Sequence, residues 1–178
     1  MKNTEYFDYL FQNLQETDMS FEHVFARIGE FMRRNPSGNY RLMFGTDSQV
    51  HARKTLFVTA IVIHCEGKGA WGCIREVTIP RAITSLYEKI SYETTLTESV
   101  VSLFDEYQKS QLIDIVLPYV YQGASFTIEG HIDVGQGKRS KTSIYAKEMM
   151  ARIRSMGIEP KIKPYAYVAS GYANRYTK

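Results

Sequence analysis

The order of strand and helix patterns constrains the fold of this chain more than any other sequence feature. Three β-rich segments follow one another, "RLMFGTD" at 41–47, "LFVTAIVIH" at 56–64 and "AWGCIREVTI" at 70–79, and a glycine-rich turn joins the last two. Helical and β-rich patterns alternate after them. A three-stranded meander followed by alternating units predicts an α/β protein with a mixed sheet, in which the later strands run parallel and helices cover both faces.

Patterns outside the meander complete the expected order. Ser20 can cap a helix that runs to about residue 35, since apolar residues recur there at helical spacing. Residues 112–120 are apolar enough for a strand or a buried helix, although Pro118 argues against a long central strand. The other predicted helices span 86–109 and 138–157, and the other predicted strands span 126–135 and 161–168. Together these predict a mixed sheet of five strands, or slightly more.

The length of 178 residues suits one domain. We expect that domain over residues 20–178, with residues 1–19 forming an N-terminal arm or helix. No apolar run approaches the roughly 18 residues of a membrane span, and the polar start does not resemble a signal peptide. The two cysteines, Cys65 and Cys73, are too few for a disulfide scaffold. We therefore expect a cytoplasmic protein with no membrane partner; the sequence leaves the oligomeric state open.

Single acids stand late in two of the predicted strands. Asp47 ends the first strand of the meander, and Asp133 lies near the end of the strand at 126–135. An acid beside a serine, here Ser48, is also common in solvated turns. In open α/β sheets, however, functional groups gather at the carboxyl ends of strands. If these two strands are parallel neighbours, their acids meet, and His131 on the same strand face as Asp133 is a candidate supporting residue.

The predicted helix over 86–109 offers two further acids. With Leu96 marking the apolar stripe of this helix, Glu93 falls inside the stripe and Glu98 falls on the opposite, solvated side. A carboxylate on a buried face needs a partner. That partner is either a basic side chain at the edge of the core, or a cation shared with other acids.

A cation shared by Asp47, Glu93 and Asp133 would be a hard one. Clustered carboxylates raise one another's pKa unless a positive charge lies among them. Oxygen ligands without a histidine or cysteine cluster favour Mg²⁺ or Mn²⁺. Two such ions can activate water and stabilise the leaving oxygen in phosphodiester cleavage. The acids therefore predict a metal-dependent phosphodiester hydrolase.

Basic residues are concentrated in the last part of the chain. Residues 138–178 hold 10 basic and 2 acidic side chains. This excess is either a solvated face or the footprint of a polyanion such as nucleic acid. The predicted substrate-binding residues are Ser48, Lys138, Arg139, Lys141 and Arg175, with Lys138 placed at a predicted helix start that also favours phosphate. Tyrosines near the carboxyl end either stack bases or pack the tail on the sheet.

Four segments occur in a specific order along the chain. They are "FGTDSQ" at 44–49, "SYET" at 91–94, "GHIDVGQGKRSKT" at 130–142 and "KIKPYAYVASGYANRYTK" at 161–178. Together they resemble the YkuK family, a bacterial branch of the ribonuclease H-like superfamily, over roughly residues 20–178. The resemblance implies a ribonuclease H-like fold and a nuclease that acts on RNA, RNA–DNA hybrid or DNA with Mg²⁺ or Mn²⁺. It places Asp47 on the first strand, Glu93 on the first crossover helix and Asp133 on the fourth strand as the metal-binding acids.

One departure from the family pattern concerns the last helix. Ribonuclease H-like nucleases usually supply a fourth acid or a histidine there, whereas this chain has no acid after Glu159. Asn174 can offer a carbonyl oxygen to a metal but adds no charge. The departure keeps two alternatives open: a nucleic-acid-binding module of the same fold without turnover, and a phosphohydrolase acting on a small molecule.

Overall fold

Five strands form one mixed sheet in the order β3-β2-β1-β4-β5 in the computed structural model, which describes residues 9–178. The strands are β1 (Asn39–Val50), β2 (Thr55–Cys65), β3 (Gly69–Ile79), β4 (Ser125–His131) and β5 (Glu159–Lys161). The helices are α1 (Phe21–Arg33), α2 (Leu86–Val101), α3 (Glu106–Val116), α4 (Ser143–Ser155) and α5 (Asn174–Thr177), with a 3₁₀ turn at Leu117–Gln122 and a π-helical segment at Val168–Ala173. No helix in this described part of the chain is long and apolar enough to cross a membrane.

The direction of the strands changes at β1. The β1–β2 and β2–β3 pairs are antiparallel, as expected for a meander with short turns. The β1–β4 and β4–β5 pairs are parallel, because a crossover separates each pair in sequence. The prediction of an α/β protein with a mixed five-stranded sheet is confirmed.

Alternation along β1 sends side chains to two different layers. Leu42 and Phe44 face the larger core, which is packed with α1, α2, α3 and α4. Met43 faces the opposite side, where a smaller core is formed with the π-helical segment and contains Val168 and Ala173. Helices therefore cover both faces, as predicted. The C-terminal segment, residues 168–177, alone makes the second layer among the described helices.

The chain before α1 forms an extended arm over residues 9–19. Phe11 pairs with Met19 in an antiparallel bridge, and Gln12 pairs with Ile74 of β3, so the arm extends the sheet edge. The side chains of Phe11 and Met19 are both buried. Residues 1–8 lie outside the described residues, and the division of the chain at residue 19 stays a prediction. Ser20 caps α1 as predicted, since its side chain accepts a hydrogen bond from the His23 amide.

The single helix predicted over 86–109 is wrong, because two helices occupy this region. α2 ends at Val101, and Asp105 starts α3 through a capping box in which its side chain accepts from the Gln108 amide. The restart changes the buried face, so Tyr107, which one continuous helix from Leu96 would place in the apolar stripe, is 70% exposed. The ambiguous stretch 112–120 is helical, and Pro118 lies in the first turn of the 3₁₀ segment.

Three boundaries near the carboxyl end also differ from the predictions. β4 ends at His131, so Asp133 lies beyond the strand rather than inside it. α4 begins at Ser143, because residues 135–142 form a loop in which Thr142 Oγ1 accepts from the Gly135 amide at 3.0 Å. Lys138 is therefore on a loop and not at a helix start. The last strand is β5, shorter and earlier than the predicted 161–168.

Close contact between Gly45 and the C-terminal segment yields a stability prediction. A Cβ at Gly45 would lie 2.8 Å from the Ala169 backbone nitrogen, so either β1 or the segment would have to move. We expect Gly45→Ala to lower the free energy of unfolding by roughly 1–3 kcal/mol, measured by urea denaturation. Gly171→Ala is the matched control, because its added Cβ meets nothing within 4 Å. Equal stability of the two variants would contradict the close packing.

Candidate active site

The site lies where the parallel pairing of β1 and β4 stops. The last paired residues are Gly45 and His131, yet β1 continues to Val50 with only β2 beside it. An open notch is therefore left on the β4 side of β1. Asp47 and Asp133 each lie two residues beyond the last pair, and they are close enough for the charge of Asp133 to act on Asp47.

Asp47 enters the notch from the face covered by the C-terminal segment. The residue is 8% exposed, and its Oδ2 accepts a hydrogen bond from the Thr177 hydroxyl at 3.0 Å. Burial raises the pKa of Asp47 and the nearby Asp133 adds to this, although the bonds from Thr177 and the Ser48 amide and the charge of Lys89 act in the opposite direction. The carboxylate is thus held in place but remains costly to ionise.

Glu93 enters the notch from α2 on the other face of the sheet. It is 4% exposed, its Oε1 accepts a hydrogen bond from the Ser48 hydroxyl at 2.6 Å, and Lys89 Nζ lies 3.6 Å from the same oxygen. Burial raises the pKa of Glu93 to about 7, and the charges of Asp47 and Asp133 contribute to the rise. The basic partner that the sequence allowed for Glu93 is Lys89, and a cation shared with the other acids stays a prediction.

Asp133 stands at the open side of the notch with an incomplete set of partners. Lys163 Nζ lies 2.9 Å from its Oδ1. That oxygen is buried and has no hydrogen bond, so the ammonium group compensates its charge without the directional geometry of a hydrogen bond. A buried oxygen in this state can accept a further electrophilic partner.

The three carboxylates can suit a hard cation, but they are not yet arranged around one. Within residues 9–178, no group of three His, Cys, Asp or Glu side chains is close enough to hold a metal ion. The gap between Glu93 and Asp133 is too small for a water molecule. The donor set fits Mg²⁺ or Mn²⁺ because it consists of carboxylate oxygens. Binding would require the side chains to turn toward one another and away from Lys89 and Lys163.

Three buried threonine hydroxyls form hydrogen bonds with one another beside the notch. Thr46 Oγ1 lies 2.9 Å from Thr59 Oγ1 on β2 and 2.8 Å from Thr97 Oγ1 on α2, and all three residues are buried. This chain of hydrogen bonds ties α2, and hence Glu93, to the central strands. The sequence analysis missed it, although Thr97 lies one helical turn beyond Glu93 and so points to the same side.

His131 supports the site indirectly. Its Nδ1 accepts a hydrogen bond from the Val168 amide at 3.2 Å, so Nε2 carries the proton and donates to Glu129 Oε2 at 2.9 Å. Burial would raise the pKa of Glu129, but this bond and the charges of Arg41 and Lys161 lower it overall. His131 therefore fastens the C-terminal segment to the sheet, and that segment carries Thr177.

The basic residues named from the sequence do not form one group. Lys138, Arg139 and Lys141 are exposed on the loop that follows Asp133. Arg175 lines a separate cavity beside β3. Asn174 is adjacent to the Asp47 contact, since Thr177 Oγ1 also lies 3.4 Å from its Oδ1.

Ser48 and Glu98 have protein partners that the sequence analysis did not foresee. The Ser48 hydroxyl is already bound to Glu93. Glu98 is not simply solvated: its carboxylate receives hydrogen bonds from Arg152 at 3.0 and 2.7 Å, which links α2 to α4.

Comparisons with known proteins identify the family of this chain. A family model described as Ribonuclease H-like matches residues 23–178. The chain belongs to the ribonuclease H-like family. This ribonuclease H-like chain is 44% identical over 170 residues to the uncharacterized protein YkuK of Bacillus subtilis (strain 168), covering 96% of this chain and 98% of that protein. The similarity confirms the predicted membership of the YkuK family. No solved structure matches.

The raised pKa of Glu93 predicts a pH-dependent cost to the stability of this ribonuclease H-like domain. A folded-state pKa of about 7 against a usual value of 4.5 means that the folded protein holds its proton more tightly. The stabilisation that comes from the protonated Glu93 carboxyl is fully present at low pH, and it is lost as the pH rises through 7. We expect the advantage of Glu93→Gln over the wild type in urea unfolding to grow by roughly 2–3 kcal/mol from pH 5 to pH 8.

Comparison of the two proteins at each pH removes the contribution of the other titrating groups. Glu76→Gln is the control, because Glu76 is exposed on β3. A Glu93→Gln difference that stays constant between the two pH values would show that Glu93 is ionised as easily in the folded protein as in the unfolded chain.

Proposed function

We propose that this protein is a divalent-metal-dependent nuclease that hydrolyses phosphodiester bonds in RNA, RNA–DNA hybrid or DNA in the cytoplasm. One observation carries the proposal. Asp47 from β1, Glu93 from α2 and Asp133 after β4 stand at one notch of a ribonuclease H-like sheet, where burial, together with the charges of Asp47 and Asp133, raises the pKa of Glu93 to about 7. Such a cluster is relieved by a cation.

The acids would hold Mg²⁺ or Mn²⁺, with Asn174 as a neutral oxygen ligand beside Asp47. When bound, these ions supply an activated water and stabilisation of the leaving oxygen. Ser48 and Thr177 orient the carboxylates of Glu93 and Asp47 through hydrogen bonds of 2.6 and 3.0 Å. Lys89 and Lys163 compensate the charges of Glu93 and Asp133, and both ammonium groups would be free to bind substrate phosphates if the carboxylates held a metal.

The substrate backbone would lie along the loop after Asp133. Lys138, Arg139 and Lys141 are exposed there and have no ion pair within the described residues 9–178. Lysine and arginine replace the counterions of a phosphate backbone. The three basic residues of the loop follow Asp133 closely in the chain.

A second function is favoured by the residue that contacts Asp47. Thr177 occupies Asp47 Oδ2, and neither Thr177 nor Asn174 brings the charge that a fourth acid would bring. A nucleic-acid-binding module without turnover is the alternative that this contact supports.

Asp47→Asn tests the catalytic proposal. We expect cleavage of end-labelled RNA, DNA or hybrid in Mg²⁺ or Mn²⁺ to fall by about a thousandfold, since a lost metal ligand removes several kcal/mol of transition-state stabilisation. Asp114→Asn is the matched control, because Asp114 is exposed on α3. Unchanged cleavage by Asp47→Asn would remove Asp47 from the mechanism, and no cleavage by the wild type, with salt-sensitive binding, would favour the binding module.

Replacement of Lys138, Arg139 and Lys141 by glutamine tests the substrate path. We expect weaker binding of a labelled strand and a logarithmic salt dependence that is shallower by about 2, as expected for three lost phosphate contacts. Fluorescence anisotropy at several salt concentrations measures both quantities.

The control for charge alone is a triple glutamine variant of Arg33, Lys68 and Arg154, which are exposed elsewhere on the surface. If both triple variants changed the salt dependence equally, net charge and not the loop would account for binding.

A further inference from the structure

A cavity of about 680 Å³ lies beside the edge strand β3. Its walls come from the arm at residues 13–16, from α1, from β3 and from the C-terminal segment with α5, and none of the three carboxylates lines it. Binding sites for small molecules have volumes of about 300–1,000 Å³. The cavity therefore has room for a ligand of the size of one nucleotide.

Aromatic side chains supply the apolar part of this cavity. Trp71, Tyr172 and Tyr176 line it and are half-buried, so their rings remain accessible. The rings of Tyr172 and Tyr176 have centroids 5.8 Å apart. A Cβ at Gly72 would come within 2.8 Å of the Tyr172 hydroxyl, so this glycine allows the tyrosine to lie against β3. Aromatic rings held in this way are platforms for stacking bases.

Three arginines and two glutamates line the cavity, which gives it a net charge of +1. Its acids, Glu16 and Glu30, are both bound by Arg27, at 3.0 Å from Nε and 2.9 Å from Nη1 respectively. Arg34 and Arg175 also line the cavity, are exposed and make no ion pair within the part of the chain that the structure describes. Arginine binds phosphate with two parallel hydrogen bonds. The cavity thus combines stacking surfaces with free guanidinium groups.

We propose that this cavity binds one nucleotide of a single strand, with the base against Tyr172 and Tyr176 and the phosphate on Arg34 and Arg175; Trp71 lines the cavity from the other face of β3. A base inside a duplex is stacked on both sides and cannot enter, which makes the ligand single-stranded.

The cavity and the carboxylates are joined by α5. Arg175 and Tyr176 line the cavity, while Thr177 on the next position donates to Asp47. A strand that occupies the cavity therefore lies on the element that holds the first acid in place. The inference rests on the proposed function in one respect only: the strand held here is the strand that the acids would cut.

Trp71 gives the experiment an internal probe, because it is the single tryptophan of the chain. Asp47→Asn protein is titrated with octauridylate, with uridine 5′-monophosphate and with an octamer RNA duplex, in low salt without metal. We expect the single strand to quench Trp71 fluorescence to saturation, the mononucleotide to bind at least tenfold more weakly, and the duplex to leave the fluorescence unchanged.

Arg34→Gln with Arg175→Gln should raise the Kd for octauridylate by about tenfold or more. Arg33→Gln with Lys68→Gln is the matched control, since both residues are exposed, Arg33 precedes Arg34 in the chain, and neither lines the cavity. An unfolding midpoint equal to that of the parent shows that each variant is folded. Absence of quenching, or equal loss in both double variants, would overturn the proposal.

Two further outcomes would also overturn it. Equal affinity for the mononucleotide and the strand would assign the cavity to a free nucleotide, and quenching by the duplex would refute the single-strand requirement. Because the titrations use a protein without Asp47, they are independent of cleavage. Quenching without nuclease activity in the wild type would refute the proposed function alone, and nuclease activity without quenching would refute the cavity alone.

Discussion

The carboxylate cluster exists because β4 stops pairing with β1 before β1 ends. Beyond Gly45 and His131, the β4 side of β1 has no strand beside it, and side chains from both faces of the sheet can meet there. Asp47 arrives from the face of the C-terminal segment, and Glu93 arrives from the face of α2 through its bond to Ser48. In a fully paired sheet the two faces would be separated by backbone. The short fourth strand is thus the condition for the whole site.

The charges at the notch show how the protein tolerates this arrangement. Three carboxylates face only two ammonium groups, those of Lys89 and Lys163, and the most buried acid keeps a pKa of about 7. A well-packed apolar cluster at the same place would cost less, so the buried carboxylates lower the stability of the fold. The buried threonines beside the notch stabilise the fold, because each hydroxyl has a hydrogen-bond partner and the three together hold α2 on the strands.

Local sequence patterns were sufficient to predict the mixed sheet and to single out Asp47, Glu93 and Asp133 as candidate site residues. The β meander, the helical stripe that contains Glu93 and the acids at strand ends depend on neighbouring residues and on the periods of strand and helix. The contacts that complete the site depend on the folded chain. Thr177 meets Asp47 across 130 positions, and Lys163 meets Asp133 only because β5 brings it back to β4. Charge alone groups Arg175 with the basic loop, whereas in the folded chain the short α5 places it at the separate cavity beside β3.

The contact between Thr177 and Asp47 also has a kinetic meaning. Joining positions so far apart requires the closure of a long loop, which chains complete after their local hairpins and helices. Until that loop closes, pairing within the β1–β2–β3 meander leaves Asp47 without its Thr177 partner. In the native state the C-terminal segment covers the smaller core, so the packing that holds this layer of the fold also holds Thr177 on Asp47.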